Sequence, residues 1–131
     1  MKNKVVKRMT AEKLFNVALE LAGYGGDDIF ETSNIGDKLL SIVNTIYSDL
    51  HYLCNKEEFE PLTDATQTLK LSDRAINDCA VYGVASLIQN ILGTTNDYVI
   101  FQGIYTCKKQ QLQKRCEIKQ IKDVFAKGSD C

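Results

Sequence analysis

Few residues in this chain could do covalent or metal chemistry, and those few are not arranged for it. The single histidine, His51, lies beside Tyr47 and Tyr52 in a helical stretch, and no partner that would make it a general base can be named. A lone histidine in such a place is more often a packed or surface residue than a catalyst. Five cysteines, Cys54, Cys79, Cys107, Cys116 and Cys131, form an odd set with no CxxC pair. Cys79, Cys107 and Cys116 would need a fourth soft ligand to hold zinc, and their spacing is not finger-like. Free thiols acting as small hydrophobes, in a reducing cytosolic compartment, are the expectation. The run GYGGDD at residues 23–28 lacks the lysine and the serine or threonine of a phosphate loop and continues into acids, so it reads as a turn. Asp27, Asp28 and Glu31 could meet a hard cation but show no EF-hand pattern. The basic run KKQQLQKR, residues 108–115, has no base-stacking aromatics, which argues against sequence-specific nucleic-acid reading and leaves nonspecific backbone contact open. The expectation is a non-enzymatic protein with no catalytic residues, no cofactor and no metal.

The elements that would carry a non-catalytic role are easier to place. A chain of 131 residues that is 44% hydrophobic suits one domain with its own core. Thr10 can cap a helix with Leu14, Val17, Ala18 and Leu21 at helical spacing, stopped by Gly23, Gly25 and Gly26. Apolar residues from Leu39 to Leu53 give a second helix, from about 37 to 54, with a wide apolar face. A long loop follows, from Asn55 to Lys70, containing the only proline, Pro61; TQTLKL within it reads as a short extended piece, with a small hairpin as one option. Phe59 and Leu62 in that loop would be exposed unless something covers them. Ser72 opens a third helix carrying Ile76, Cys79, Ala80, Val84, Leu87, Ile88 and Ile91, with Gly93 as its stop. Near Thr95 or Asn96 a fourth begins, striped by Tyr98, Phe101, Tyr105 and Leu112. It fades into a tail where Ile118, Ile121, Val124 and Phe125 restore an apolar edge. The fold class is therefore all-α, a small four-helix bundle with a long loop between its second and third helices and a C-terminal extension. Residues 1–117 make the domain and 118–131 a tail.

Gly83, in the middle of the third helix, needs a reason, because glycine there costs roughly 1 kcal/mol relative to alanine. Its neighbours Ala80 and Ala85 suggest close helix packing, either within the chain or against another one. Charge is uneven although the net value is only −1. Residues 1–9 carry four cations and no acid, residues 12–64 eleven acids against three cations, and residues 108–127 seven cations against two acids. That asymmetry could orient head-to-tail association or reflect solvated helix faces. No apolar run approaches the roughly 20 residues needed to span a bilayer.

The segment LSDRAINDCAVYGVASLIQNILGTTNDYVIFQGIYTCKKQQLQKR, residues 71–115, resembles the second half of the head-to-tail adaptor proteins of tailed bacteriophages, also called head completion or connector proteins. The likeness rests on Leu71 and Ser72 opening a helix, on Ala80, Tyr82, Gly83 and Ala85, and on Leu87 and Ile88 at its apolar end. A polar turn from Gly93 to Asp97 and a helix with Phe101 and Tyr105 that becomes charged complete it. Ser72 stands where the family often has proline. With the earlier helices and their long loop, the similarity spans residues 10–116. It implies a structural subunit of a ring, commonly of twelve, docked beneath the portal. Such a ring lies near packaged DNA, extends its channel, and joins a downstream tail or stopper protein. Ile118, Ile121, Val124 and Phe125 would then dock on the portal, and Phe59 and Leu62 would meet a neighbouring subunit or the tail. The resemblance places the protein at the virion head–tail interface, assembled in the host cytoplasm and without a membrane partner. The competing expectation is a small cytosolic helical module that regulates or binds another protein.

Overall fold

The computed structural model describes residues 9–24, 35–54 and 58–129, with side chains described as far as Ile118, Cys54 excepted. Among the described residues, four α-helices pack around one core: α1 (Ala11–Leu21), α2 (Leu39–Cys54), α3 (Val81–Leu92) and α4 (Thr95–Ser129). A turn of 3-10 helix, Ile35–Lys38, leads into α2, and a π-helical segment, Ala75–Ala80, leads into α3. Among the described residues the only β pairing is a single antiparallel bridge between Thr10 and Thr68. That bridge replaces the optional hairpin in the 58–70 loop.

Thr10 caps α1 as its sequence suggests, its Oγ1 accepting from the Lys13 N–H at 3.2 Å. At the other end Gly23 takes φ of 93°, so the Tyr24 N–H reaches the Leu19 carbonyl at 2.8 Å and the Gly23 N–H that of Glu20 at 3.0 Å. This is a Schellman stop, and glycine supplies it without a Cβ clash. The buried stripe of α1 is rotated from the expected one. Phe15 and Leu19 lie inside with Leu14 and Ala18, while Val17 and Leu21 are 42% and 40% exposed. The larger Phe15 ring fixes the rotation, since turning it inward removes more apolar area from water than turning Val17 inward would.

The third helix is the hub, with α1, α2 and α4 all packed against it. Ser72 caps its approach, accepting from the Ala75 N–H through Oγ at 3.1 Å. Thr94 does the same for α4, accepting from the Asp97 N–H at 3.2 Å. Buried Gln89 ties α3 to the end of α1: its Nε2 donates to the Ala22 carbonyl at 2.8 Å, and the Tyr24 hydroxyl donates to its Oε1 at 3.3 Å. Among the described side chains of α4, Tyr105 and Leu112 are the buried ones, with Phe101 and Cys116 packed beside them. The backbone of α4 nevertheless continues as unbroken helix to Ser129, across the expected boundary at residue 117.

Candidate interaction site

The small-residue cluster of α3 is built against α4 and α2. A Cβ on Gly83 would lie 2.8 Å from Tyr105 Cε1 and 2.9 Å from Ile46 Cδ1. The close approach is therefore to two side chains of this chain, not to a second backbone. Tyr105 is fixed in that position because its hydroxyl donates to Asp49 Oδ2 at 2.5 Å. Lys109, one turn on, pairs with the same carboxylate at 2.9 Å and sits 5.5 Å above the Tyr105 ring. Burial, and then the hydrogen bond to Asp49, push the Tyr105 hydroxyl pKa up. Cys79, beside Ala80 on the inner face, is a buried free thiol whose pKa is pushed up to about 11, first by burial and then by Asp78, with Lys108 opposing. A thiol so held is protonated at neutral pH, which suits packing rather than nucleophilic attack.

The long loop does not stand away from the bundle. Asn44 of α2 holds it with a reciprocal pair, donating from Nδ2 to the Leu62 carbonyl and accepting the Leu62 N–H at Oδ1, each at 2.8 Å. The Tyr47 hydroxyl accepts the Lys70 N–H at 3.0 Å. Leu62 is buried, and Phe59 is half-buried edge-on to Tyr47, with ring centroids 5.1 Å apart, and tilted against His51 at 5.4 Å. The cover that Phe59 and Leu62 require thus comes from α2 of the same chain. Buried His51 is part of this aromatic group. A groove of about 500 Å³ runs between α2 and the loop, with Tyr47 and His51 at its base and Glu58, Glu60 and Lys70 among its lining residues. Asp64, fully exposed, is held as a carboxylate below its usual range by the Thr66 N–H and hydroxyl.

Among the described residues, no three of histidine, cysteine, aspartate and glutamate come together where a metal ion could be held. Asp27, Asp28 and Glu31, together with Gly25 and Gly26, lie outside the described residues. Cys79 and Cys107 are free. Cys116 is disulfide-bonded, which corrects the expectation that every cysteine is a free thiol. Nothing in the spacing of five scattered cysteines signals that bond, because disulfide geometry depends on residues brought together by the fold.

Besides Val17 and Leu21 of α1, Tyr52 of α2 and Ile91 of α3, the bundle leaves apolar side chains exposed on α4. Val99, Ile100 and Ile118 are 56%, 58% and 53% exposed, and Cys107 is exposed between them. Ile118 is thus where the sequence places an accessible apolar group. The side chains of Ile121, Val124 and Phe125 lie outside the described set, although the helical backbone that carries them is described. No helix among the described residues is long and apolar enough to cross a membrane. Comparison with protein-family models, curated proteins and solved structures gives no match.

Proposed function

We propose that this chain is a structural head-to-tail adaptor subunit of a tailed phage, one member of a ring beneath the portal that extends the DNA channel and connects to the tail. The observation that supports this reading is the division of α4 into two working parts. Its first half shares Tyr105, Leu112 and Cys116 with the bundle, and the helix then continues to Ser129. At 1.5 Å per residue, the segment from Glu117 to Ser129 adds about 20 Å of helix beyond Cys116. Ile118, Ile121, Val124 and Phe125 recur along it at three- and four-residue spacing, the pattern of a helix that enters an apolar groove on a partner. Lys114, Lys119, Lys122 and Lys127 keep such a segment soluble and draw it toward an acidic surface, an effect that salt weakens.

The loop of residues 58–70 would meet a neighbouring subunit through its polar outer face, because Leu62 and most of Phe59 serve the core. Sedimentation of the full chain with and without a portal ring tests the proposal. Co-sedimentation is expected for the full chain and is lost when residues 118–131 are deleted, while the thermal midpoint stays nearly unchanged. A truncated protein that still binds the portal overturns the docking assignment. A full chain that ignores the portal and captures a different protein favours the regulatory-module reading.

A further inference from the structure

The basic run at residues 108–115 has a setting in the fold that its sequence does not show. Lys108, Gln111 and Arg115 share one flank of α4 at three- and four-residue spacing, and that flank lies against the π-helical segment before α3. Arg74 and Asp78 reach the same place from the π side, and the five residues ring a pocket of about 20 Å³ with buried Cys79 and Leu112 at its base. The π turn is what brings Arg74 there. In an uninterrupted α-helix Arg74, seven residues before buried Val81, would stand within about 20° of the line that Val81 puts into the core. The Val81 N–H instead reaches back five residues to the Ile76 carbonyl, and the extra residue in that turn swings Arg74 by about 100° off the buried line. Such turns are rare and cluster at functional sites. The cations gathered here are uncommitted. Among the described residues none of Arg74, Lys108 and Arg115 forms an ion pair, although Asp78 shares the lining. Lys109 is held by Asp49 on the α2 side of the helix, and Lys114 is not part of the lining. Three like charges around one pocket repel one another with only one carboxylate beside them, a cost that an arriving anion offsets. Lys108 is half-buried, so salt screens it less than an ordinary surface lysine.

We propose that the rim of this pocket is a contact site for the phosphate backbone of duplex DNA, with Arg74, Lys108 and Arg115 as the three cations that meet it. The interior has room for one water and cannot enclose a free phosphate, so the anion rests at the rim. From Lys108 to Arg115 the rim runs about 10 Å along the helix, at about 1.5 Å per residue. Phosphates of one strand recur about every 3.4 Å along a duplex axis, so that span covers about three of them. The Gln111 amide lies between the two cations of α4 and can donate to a phosphate oxygen. Other polyanions fit less well. No aromatic side chain lines the pocket, so the unstacked bases of a single strand find no platform. Its apolar lining, Cys79 and Leu112, is buried, whereas a lipid surface takes up apolar groups that protrude beside the cations. A contact of this kind positions the protein on DNA without reading its sequence. It does not rest on the adaptor reading, since it requires no portal.

The test is fluorescence anisotropy of a labelled duplex of about 20 base pairs, titrated with the full chain between about 50 and 200 mM salt. Three phosphate contacts give a slope of about −2.7 in log affinity against log salt, a loss of about fortyfold over that range. Arg74→Gln, Lys108→Gln and Arg115→Gln should each lower the slope by about 0.9, so that the same change of salt costs only about twelvefold. Their circular dichroism spectra and thermal midpoints should stay unchanged, because these side chains form no ion pair within the described bundle. Lys109→Gln alters net charge by the same amount but removes a cation that Asp49 already neutralises, so its slope should match that of the unmodified chain. A chain that does not bind the duplex at about 50 mM salt overturns the proposal. So do equal slopes for all four variants, which would mark an effect of net charge alone, and binding to phosphatidylserine vesicles in place of the duplex. Duplex binding with no portal binding supports this site and refutes the adaptor reading; portal binding with no duplex binding does the reverse.

Discussion

Replacing Gly83 by alanine sets two calculable effects against each other. Removing glycine from a helix interior gains roughly 0.5–1 kcal/mol through backbone entropy. Against this, the added methyl would sit 2.8 Å from one atom of the Tyr105 ring, 2.9 Å from a second and 2.9 Å from Ile46 Cδ1. The isoleucine terminus can rotate away, but the ring cannot do so freely because Asp49 holds its hydroxyl and Lys109 covers its face. Overpacking a close contact of this kind costs about 1–3 kcal/mol. The net expectation is a destabilisation of about 1 kcal/mol, or a fall of about 4 °C in thermal midpoint for a chain of this size. Urea unfolding followed by circular dichroism measures it. Gly103→Ala is the internal control, since its Cβ enters open space and should stabilise by about 0.5–1 kcal/mol. Adding Tyr105→Phe should reduce the cost of Gly83→Ala by releasing the ring from Asp49, a coupling that a double-mutant cycle reads directly. If Gly83→Ala stabilises as much as Gly103→Ala does, the steric account of the α3–α4 seam is refuted.

Two further outcomes follow from the same core. Asn44→Ala should destabilise by about 1–3 kcal/mol, because both backbone groups of Leu62 lose their partner in a half-buried place; retained protection of the Leu62 amide in hydrogen exchange would show that the pair is incidental. Stability should also fall in alkali: Cys79 and Tyr105 both have pKa values raised by folding, so their contribution is complete below about pH 9 and is lost as pH climbs through about 11 and beyond. Urea midpoints at pH 8 and pH 10.5 for the native chain and for Cys79→Ala check this, and equal pH slopes for the two would exclude Cys79 as a source.

The helices were legible from their apolar period, and α1 and α3 also from the residues that start and stop them. Thr10, Ser72 and Gly93 are where the sequence places caps and a stop, and the core positions of α2 recur as expected. What sequence reasoning missed depends on partners distant in the chain. The role of Gln89 requires Ala22 and Tyr24, and that of Asn44 requires Leu62, so neither residue differs locally from an ordinary polar helix residue. The rotation of α1 was misplaced because Leu14 and Ala18 belong equally to both candidate stripes; only the depth available for Phe15 distinguishes them. In the loop, the sequence leaves open what covers Phe59 and Leu62, because the cover comes from α2, and Gln67 folds back to accept the Thr63 and Asp64 N–H groups at 2.6 and 2.9 Å and makes the segment compact.

The same loop does something for α1 that its place in the chain conceals. The Ala11 N–H is accepted by the Gln67 carbonyl at 3.0 Å, the Glu12 N–H by the Ala65 carbonyl at 2.9 Å, and the Leu69 N–H returns to the Met9 carbonyl at 3.0 Å. A helix of 11 residues is too short to hold itself in water, and its first two donors, Ala11 and Glu12, are satisfied only after more than fifty further residues have been synthesised. On a ribosome, α1 must therefore wait for the stretch beyond Pro61, while the α3–α4 hairpin, whose contacts are local, can condense without either. A protease cut between residues 58 and 70 would therefore release the backbone partners of the first turn of α1 from a distance.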